Sequence, residues 1–345
     1  MTSTGVSAKR REAVAGWMFA APGIALLATF VLLPMLLALW VSVLDWDGTY
    51  SPLSGKAPVV GLDNYAALLT EDGLARRDFA LSVRNTFYFV VISVPVQTVL
   101  ALGLAMVVHN RTLRGRGFFR AAFYFPSVTS AVAISVVFLF LFSGSGAINA
   151  VLGFLGIDGP TWFADPRGVV HELLGALGLV DPSAPPEWLS GTRLWGLTLW
   201  EWLSGPSVAM SAVTLLMIWT TSGNFMLIFL AALQNLPEDV LEAADVDGTT
   251  RWQRLTKVTV PMLMPTVFVV LTMGLIGSWQ VFDQIYVMGQ GNPAKTTLTP
   301  AFLSYQRSFA EGSYGLGAAI AFLLFAIIVV LTWAQRRLLR DGRTS

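Results

Sequence analysis

The sequence has no cysteine and only two histidines, His109 and His171. Disulfides, thiolate metal sites and cysteine nucleophiles are excluded, and too little imidazole remains for most metal centres. Charge is scarce as well: Asp, Glu, Lys and Arg make up 12% of 345 residues, against roughly 25% in an ordinary soluble domain. A water-soluble enzyme does not fit such a composition. With 22 Lys and Arg against 21 Asp and Glu the formal charge is +1, so no basic field points to nucleic acid. A Walker phosphate loop is missing too: Gly55-Lys56 is followed by Ala57 and has Tyr50 where the first glycine belongs. Gly205-Pro-Ser207-Val-Ala209 lacks the last glycine of a nucleophile elbow and has no strand before it.

What is abundant is apolar sequence, 54% of the chain. Six stretches carry no charge at all: 16–44, 86–108, 121–142, 207–233, 261–282 and 315–334. Each is long enough to cross a hydrocarbon core of roughly 30 Å, which a helix spans in about 20 residues. Backbone groups in lipid must be paired internally, so these runs are expected to be helices, kinked at Pro34, Pro95 and Pro126. The fold class is therefore all-α, a polytopic membrane protein with six transmembrane helices. Lys9, Arg10 and Arg11 precede the first run as in a signal peptide, but the run is longer than a cleavable core of about 7–15 residues and reads as a retained anchor.

Positive residues settle the expected orientation. One set of loops and tails holds 14 of the 22 Lys and Arg, from Lys9, Arg111 and Arg251 to Arg343, and the other holds 8, including Lys56, Arg84 and Lys295. The richer set contains both termini and the loop 234–260, which are expected to be cytoplasmic. The tail 1–15 then precedes one transmembrane domain, 16–345, with an external insertion at 143–206. Within that insertion Val151-Leu-Gly-Phe-Leu-Gly-Ile-Asp has an echo in Leu174-Gly-Ala-Leu-Gly-Leu-Val-Asp. Trp188, Trp195, Trp200 and Trp202 suit a helix at the headgroup level, with Glu201 pointing to water.

The loop 234–260 is the long charged stretch on the cytoplasmic side and reads as two short helices. Pro237 suits a first turn, Glu238 and Asp239 favour its positive dipole, and Gly248 supplies a left-handed stop. Thr250 with Gln253 forms a capping-box start for the second helix. Val240, Leu241, Ala243, Ala244 and Val246 leave a small apolar face beside Glu238, Glu242, Asp245 and Asp247. Such a face can press into a groove of another protein.

Glu242-Ala243-Ala244, then Gly248 after three residues, then Val258-x-Val260-Pro261 after nine more, resembles the EAA loop of permease subunits in binding-protein-dependent ATP-binding-cassette importers. Valines replace the usual Ile and Leu. Ala20-Ala-Pro-Gly23, Val60-Gly-Leu-Asp-Asn-Tyr65, Arg114-Gly-Arg-Gly-Phe-Phe-Arg120 and Ala231-Ala-Leu-Gln-Asn-Leu-Pro237 extend the resemblance over nearly the whole chain, closest to the first permease subunit of maltose and glycerol-phosphate type importers. The resemblance implies that Glu238, Leu241, Glu242, Ala243, Ala244, Asp247 and Gly248 couple this chain to a cytoplasmic ATPase. It further implies a second homologous permease, two ATPase copies that carry ATP and Mg, and an extracytoplasmic binding protein. No cofactor is expected on this chain, and its place is a bacterial or archaeal cytoplasmic membrane.

Polar groups at membrane depth mark a path for solute. Trp219, Thr221 and Asn224 in span four, and Ser278, Trp279, Gln280 and Asp283 at the end of span five, combine hydroxyl-pairing groups with aromatic faces. That combination suits a sugar, with a helix break expected at Gly223. The same residue types also serve as glue between membrane helices. Glycerol phosphate or a polyol fits the same architecture as cargo, and a membrane-integral enzyme is a distant alternative because the spans hold no carboxylate or histidine cluster.

Overall fold

The computed structural model describes residues 4–110, 112–182 and 184–341, with the side chains of 4–9, 11 and 339–341 outside the description. Of the basic residues counted above, Arg111 and Arg343 lie outside the described residues. The end bearing the loop 234–260 is called here the loop end, and the opposite end the insertion end.

In the first span α1 (Thr4–Leu27) passes through a wide π turn at Ala28–Leu32 into α2 (Leu33–Val41). Pro34 follows directly on that π turn, inside a helix that is continuous over Glu12–Val41, and its missing N–H removes one bond to the preceding turn. The span touches little else: only 6% of its apolar window is buried. A short helix, α3 (Asp63–Leu69), leads to α4 (Leu74–His109), which continues unbroken through Pro95. It starts at Leu74 rather than near residue 86, because Asp78, Arg84 and Asn85 in the added turns are buried and paired. Asp78 Oδ1 accepts from Lys295 Nζ at 2.7 Å and Oδ2 from Arg307 Nη2 at 2.8 Å, which meets the requirement that a buried carboxylate be compensated.

The run 121–142, expected to kink at Pro126, is sharply bent near that residue. It consists of α5 (Arg116–Val128) and α6 (Ala131–Leu141), bent from one another by 99°. Thr129 is extended at the break, and its hydroxyl donates to the Phe125 carbonyl at 2.9 Å. Pro126 lacks the N–H that would continue the ladder in that turn. The insertion then folds as α7 (Ala147–Phe154), α8 (Val169–Ala176), α9 (Glu187–Gly191), an antiparallel pair of β1 (Arg193–Leu194) with β2 (Leu197–Thr198), and α10 (Leu199–Leu203). One interfacial helix carrying all four tryptophans is therefore not formed. Glu201 does not simply face water: it completes a capping box with Thr198 and accepts from Arg77 at 3.0 Å. Arg84 and Tyr88 donate to the Glu201 and Trp202 carbonyls at 2.8 and 2.6 Å, binding the insertion to α4.

Span four is α11 (Val208–Gln234), started by the Ser207 hydroxyl, which accepts from Met210 N. The break expected at Gly223 is absent. The glycine instead lets α5 approach, since a Cβ there collides with the Phe123 carbonyl oxygen. After it come α12 (Glu238–Val246), α13 (Arg251–Arg254), a π turn at Leu255–Thr259, α14 (Val260–Met262) and α15 (Met264–Trp279). The axis bends by 70° where α14 meets α15, between Pro261 and Pro265. The run 261–282 is thus shared by α14, α15 and the residues just after Trp279. The chain closes with α16 (Asp283–Met288), α17 (Pro300–Tyr305), a π turn at Gln306–Ala310 and α18 (Tyr314–Asp341).

The long helix α4 lies along α11 and α15, α5 covers α11, and α18 packs on α15 and α17. Two apolar clusters result. One, with Phe79, Phe89, Phe138, Met210 and Ile285, fills the insertion end; the other, with Ala105, Phe225, Phe229, Leu263 and Val270, underlies the loop end.

Candidate functional site

At the loop end the sequence builds a stiff corner. Glu238 and Asp239 occupy the first turn of α12, where the helix dipole favours acids. At the other end Gly248 adopts φ +71°, a conformation that L side chains rarely take. Its N–H donates to the Asp245 carbonyl at 3.1 Å, while Thr249 N and Oγ1 donate to the Ala244 carbonyl at 3.2 and 2.7 Å. Thr250 then starts α13: its hydroxyl accepts from Gln253 N at 3.3 Å, and Gln253 Oε1 accepts from Thr250 N at 2.9 Å. Arg254 Nη1 reaches both Asp245 oxygens at 2.7 and 2.8 Å across the corner. Caps and ion pair together leave α12 and α13 little freedom relative to one another.

Glu238, Glu242, Ala243, Asp247 and Gly248 are exposed on this corner and Leu241 is half-buried. Ala244 is buried at 7% exposure and packs into its own chain at the root of α12. A cavity of 640 Å³ separates α12 from the ends of α4, α5 and α11. Arg116 and Arg120 line one wall, and Leu241, Glu242 and Asp245 line the other. Asp245 and Arg254, the brace of this corner, were missed by spacing alone because the two residues meet only once the turn between them is formed.

Half-way along the bundle, the bend between α5 and α6 faces α11. Ser127 donates to the Thr220 carbonyl at 2.6 Å, and Phe138 lies against Trp219 with ring centroids 5.6 Å apart. Trp219 remains 45% exposed. Thr221 is half-buried, and Asn224 is exposed, its side chain making no hydrogen bond among the described residues. Gln280 and Asp283, after the end of α15, are exposed as well. Ser278 and Trp279 are both interior, at 0% and 2% exposure. Ser278 Oγ lies 3.4 Å from Ser93 Oγ on α4. The structure thus leaves one exposed mid-span indole rather than two, because the small residues Gly274 and Ser278 turn that side of α15 onto α4.

The same α4–α15 seam holds a residue that sequence reasoning passed over. Gln97 is fully buried, with neither amide atom hydrogen-bonded, and a Cβ at Gly274 comes within 2.7 Å of its Nε2. The signal was legible, since Gln97 is the one amide in the apolar run 86–108 and polar groups at membrane depth are costly.

Against this geometry the comparisons with known proteins are consistent. The family model described as binding-protein-dependent transport system inner membrane component matches residues 75–343. The lactose transport system permease LacF of Rhizobium radiobacter is 31% identical over 337 residues, covering 97% of this chain and 97% of its own length. The trehalose/maltose transport system permease MalF of Thermococcus litoralis is 30% identical over 325 residues, covering 94% and 93%. In fold, the chain is similar to one chain of a bacterial ABC transporter involved in import of the acidic polysaccharide alginate. The TM-score is 0.68 at 20% identity, covering 96% of this chain and 98% of that one.

Proposed function

The chain belongs to the family of binding-protein-dependent transport system inner membrane components, and from that premise we propose that it is the permease subunit of an ATP-driven importer of a sugar or oligosaccharide. The observation that carries the reading is the corner at α12 and α13, capped at both helix ends, braced by Asp245 and Arg254, and exposing Glu238, Glu242 and Ala243. A rigid exposed element at the end of the bundle can pass a push from a neighbour into α11 and α15 without bending. Its neighbour is taken to be a cytoplasmic ABC ATPase, in two copies, which hold the ATP and Mg. A second homologous permease completes the passage, and an extracytoplasmic binding protein delivers the solute. Both termini and the loop 234–260 are then cytoplasmic.

The solute passes the mid-span face of Trp219, Thr221 and Asn224 and the Gln280 to Asp283 turn. An exposed indole offers a stacking surface to the C–H face of a sugar, and free amides pair with its hydroxyls. The relatives named for lactose and for trehalose/maltose transport support a saccharide cargo. The test is ATP-dependent uptake of labelled lactose, maltose and longer saccharides by the complex in proteoliposomes. A saccharide is expected to accumulate, and Asn224→Ala to depress that uptake by roughly 5- to 150-fold, the equivalent of one unpaired hydroxyl, with normal assembly. Uptake of none of the saccharides, but of an unrelated solute, overturns the cargo. Unimpaired uptake by Asn224→Ala overturns the pathway residue.

A further inference from the structure

The insertion contains one small unit twice, and both copies present an apolar tip. The structure sets their register one residue earlier than the letters suggest, with Leu173 standing where Val151 stands. At the end of α7, Leu155 N, Gly156 N and Ile157 N donate to the carbonyls of Val151, Gly153 and Leu152 at 3.3, 3.0 and 2.9 Å. At the end of α8, Leu177 N, Gly178 N and Leu179 N donate to Leu173, Gly175 and Leu174 at 3.0, 2.9 and 3.0 Å. Gly156 and Gly178 are both left-handed, at φ 75° and 68°. The echo is therefore a repeated helix stop that throws an apolar side chain outward just past each helix.

These tips are strongly exposed. Phe154 is 91% and Leu155 65% exposed at the first, Leu177 70% and Leu179 67% at the second. Apolar side chains gathered in this way mark an interaction surface or contact with a membrane. The surroundings of α7 decide between them. No Asp, Glu, Lys or Arg occurs from Ala121 to Ile157, so α7 carries none of the charged rim usual around a protein-binding patch. It also begins at Ala147, a few residues after the charge-free helix α6 ends at Leu141, and so continues an apolar segment. On α8 Glu172 lies in the first turn, paired with Arg167, and lines a pocket with Gly175, Gly178 and Asp181, whereas Leu177 and Leu179 stay exposed.

We propose that the tips of α7 and α8 enter the outer leaflet of the bilayer and reach its acyl chains, as two monotopic anchors that hold the insertion against the membrane. Helices of this kind seat an apolar face about 5–10 Å into the boundary between headgroups and acyl chains. Two anchors joined by the folded insertion give its β hairpin and α10 a fixed height above the bundle. The proposal rests on the reading above that the insertion is external.

The chain's lack of cysteine makes the test direct. Phe154→Cys and Leu177→Cys, each in the full complex with its other subunits made cysteine-free, are labelled with an environment-sensitive fluorophore in proteoliposomes. Nitroxide lipids confined to the outer leaflet are expected to quench both labels, and aqueous iodide to lose its quenching relative to a label at Asp158→Cys. Leu155→Cys and Leu179→Cys serve if the first pair fails to assemble. Free quenching by iodide with none from the nitroxide lipids overturns the proposal, as does protection that appears only when binding protein is added. Failure of an impermeant thiol reagent to reach Asp158→Cys from outside also overturns it. If the wild-type complex imports no saccharide while both labels still lie in lipid, the cargo reading fails and the anchors stand.

Discussion

Gln97 and Gly248 show opposite ways in which one residue can matter here. The Gln97 amide is buried without a partner, and such a group costs about 1–3 kcal/mol of stability. Gln97→Met keeps the volume and removes the polar atoms, so it is expected to raise stability by an amount in that range. Thermal unfolding of the purified complex measures it, and a lower melting temperature shows that the amide has a partner. Gly248 is under the contrary constraint. At φ +71° a β-branched side chain costs roughly 1–2 kcal/mol, and nothing lies within 4 Å of a Cβ there, so the strain is purely conformational. Gly248→Val is expected to distort the corner and abolish stimulation of ATP hydrolysis by loaded binding protein, with solute binding to that protein unchanged. Undiminished stimulation shows that the corner passes no force. Gly248 was legible from its place after an acidic amphipathic turn, whereas the inward turn of Ala244 was not, because side-chain facing on a nine-residue helix depends on what lies beneath it.

Among the elements, α12 with α13 and the insertion differ most in how far they could be read. Thr250 and Gln253 announce their capping box in letters alone, since the bonds run over three residues of chain. The bend between α5 and α6 was half legible: Pro126 announces a kink in the charge-free run 121–142, but its size of 99° depends on the packing of Ser127 and Phe123 on α11. In the insertion His171 stacks on Trp200, with ring centroids 3.7 Å apart, and its Nε2 lies 3.1 Å from the Trp200 carbonyl. Burial holds the imidazole below its ordinary value of 6.5, against the raising effect of that carbonyl. A depressed histidine binds its proton more readily in the unfolded chain, so stability is full above 6.5 and falls as pH drops through the folded value. Hydrogen-exchange protection over 169–203, corrected for the pH dependence of intrinsic amide exchange, is therefore expected to fall between about pH 7.5 and about pH 5, and His171→Gln to flatten that dependence. Equal protection in the wild type at both values contradicts it.

For the whole molecule the orientation is the coarsest prediction. The 14 to 8 division of Lys and Arg predicts that the loop 234–260 and the insertion lie on opposite sides of the membrane. Single cysteines at Glu242 and at Asp158 in this cysteine-free chain are expected to react with an impermeant thiol reagent only from inside and only from outside, respectively. Reaction of both from one side removes the six-span arrangement. The sequence by itself determined that the chain is an all-helical membrane protein, where its apolar stretches lie, and that a capped acidic corner interrupts them. Those features follow from lipid's demand for internal backbone pairing and from hydrogen bonds a few residues long. Only the tertiary structure decided that Trp279 and Ser278 turn inward while Trp219 stays exposed, that Glu201 joins the insertion to Arg77, and that Gln97 is left unpaired. Each of these depends on which helix meets which face, and in runs that are apolar all round no periodicity in the letters specifies that.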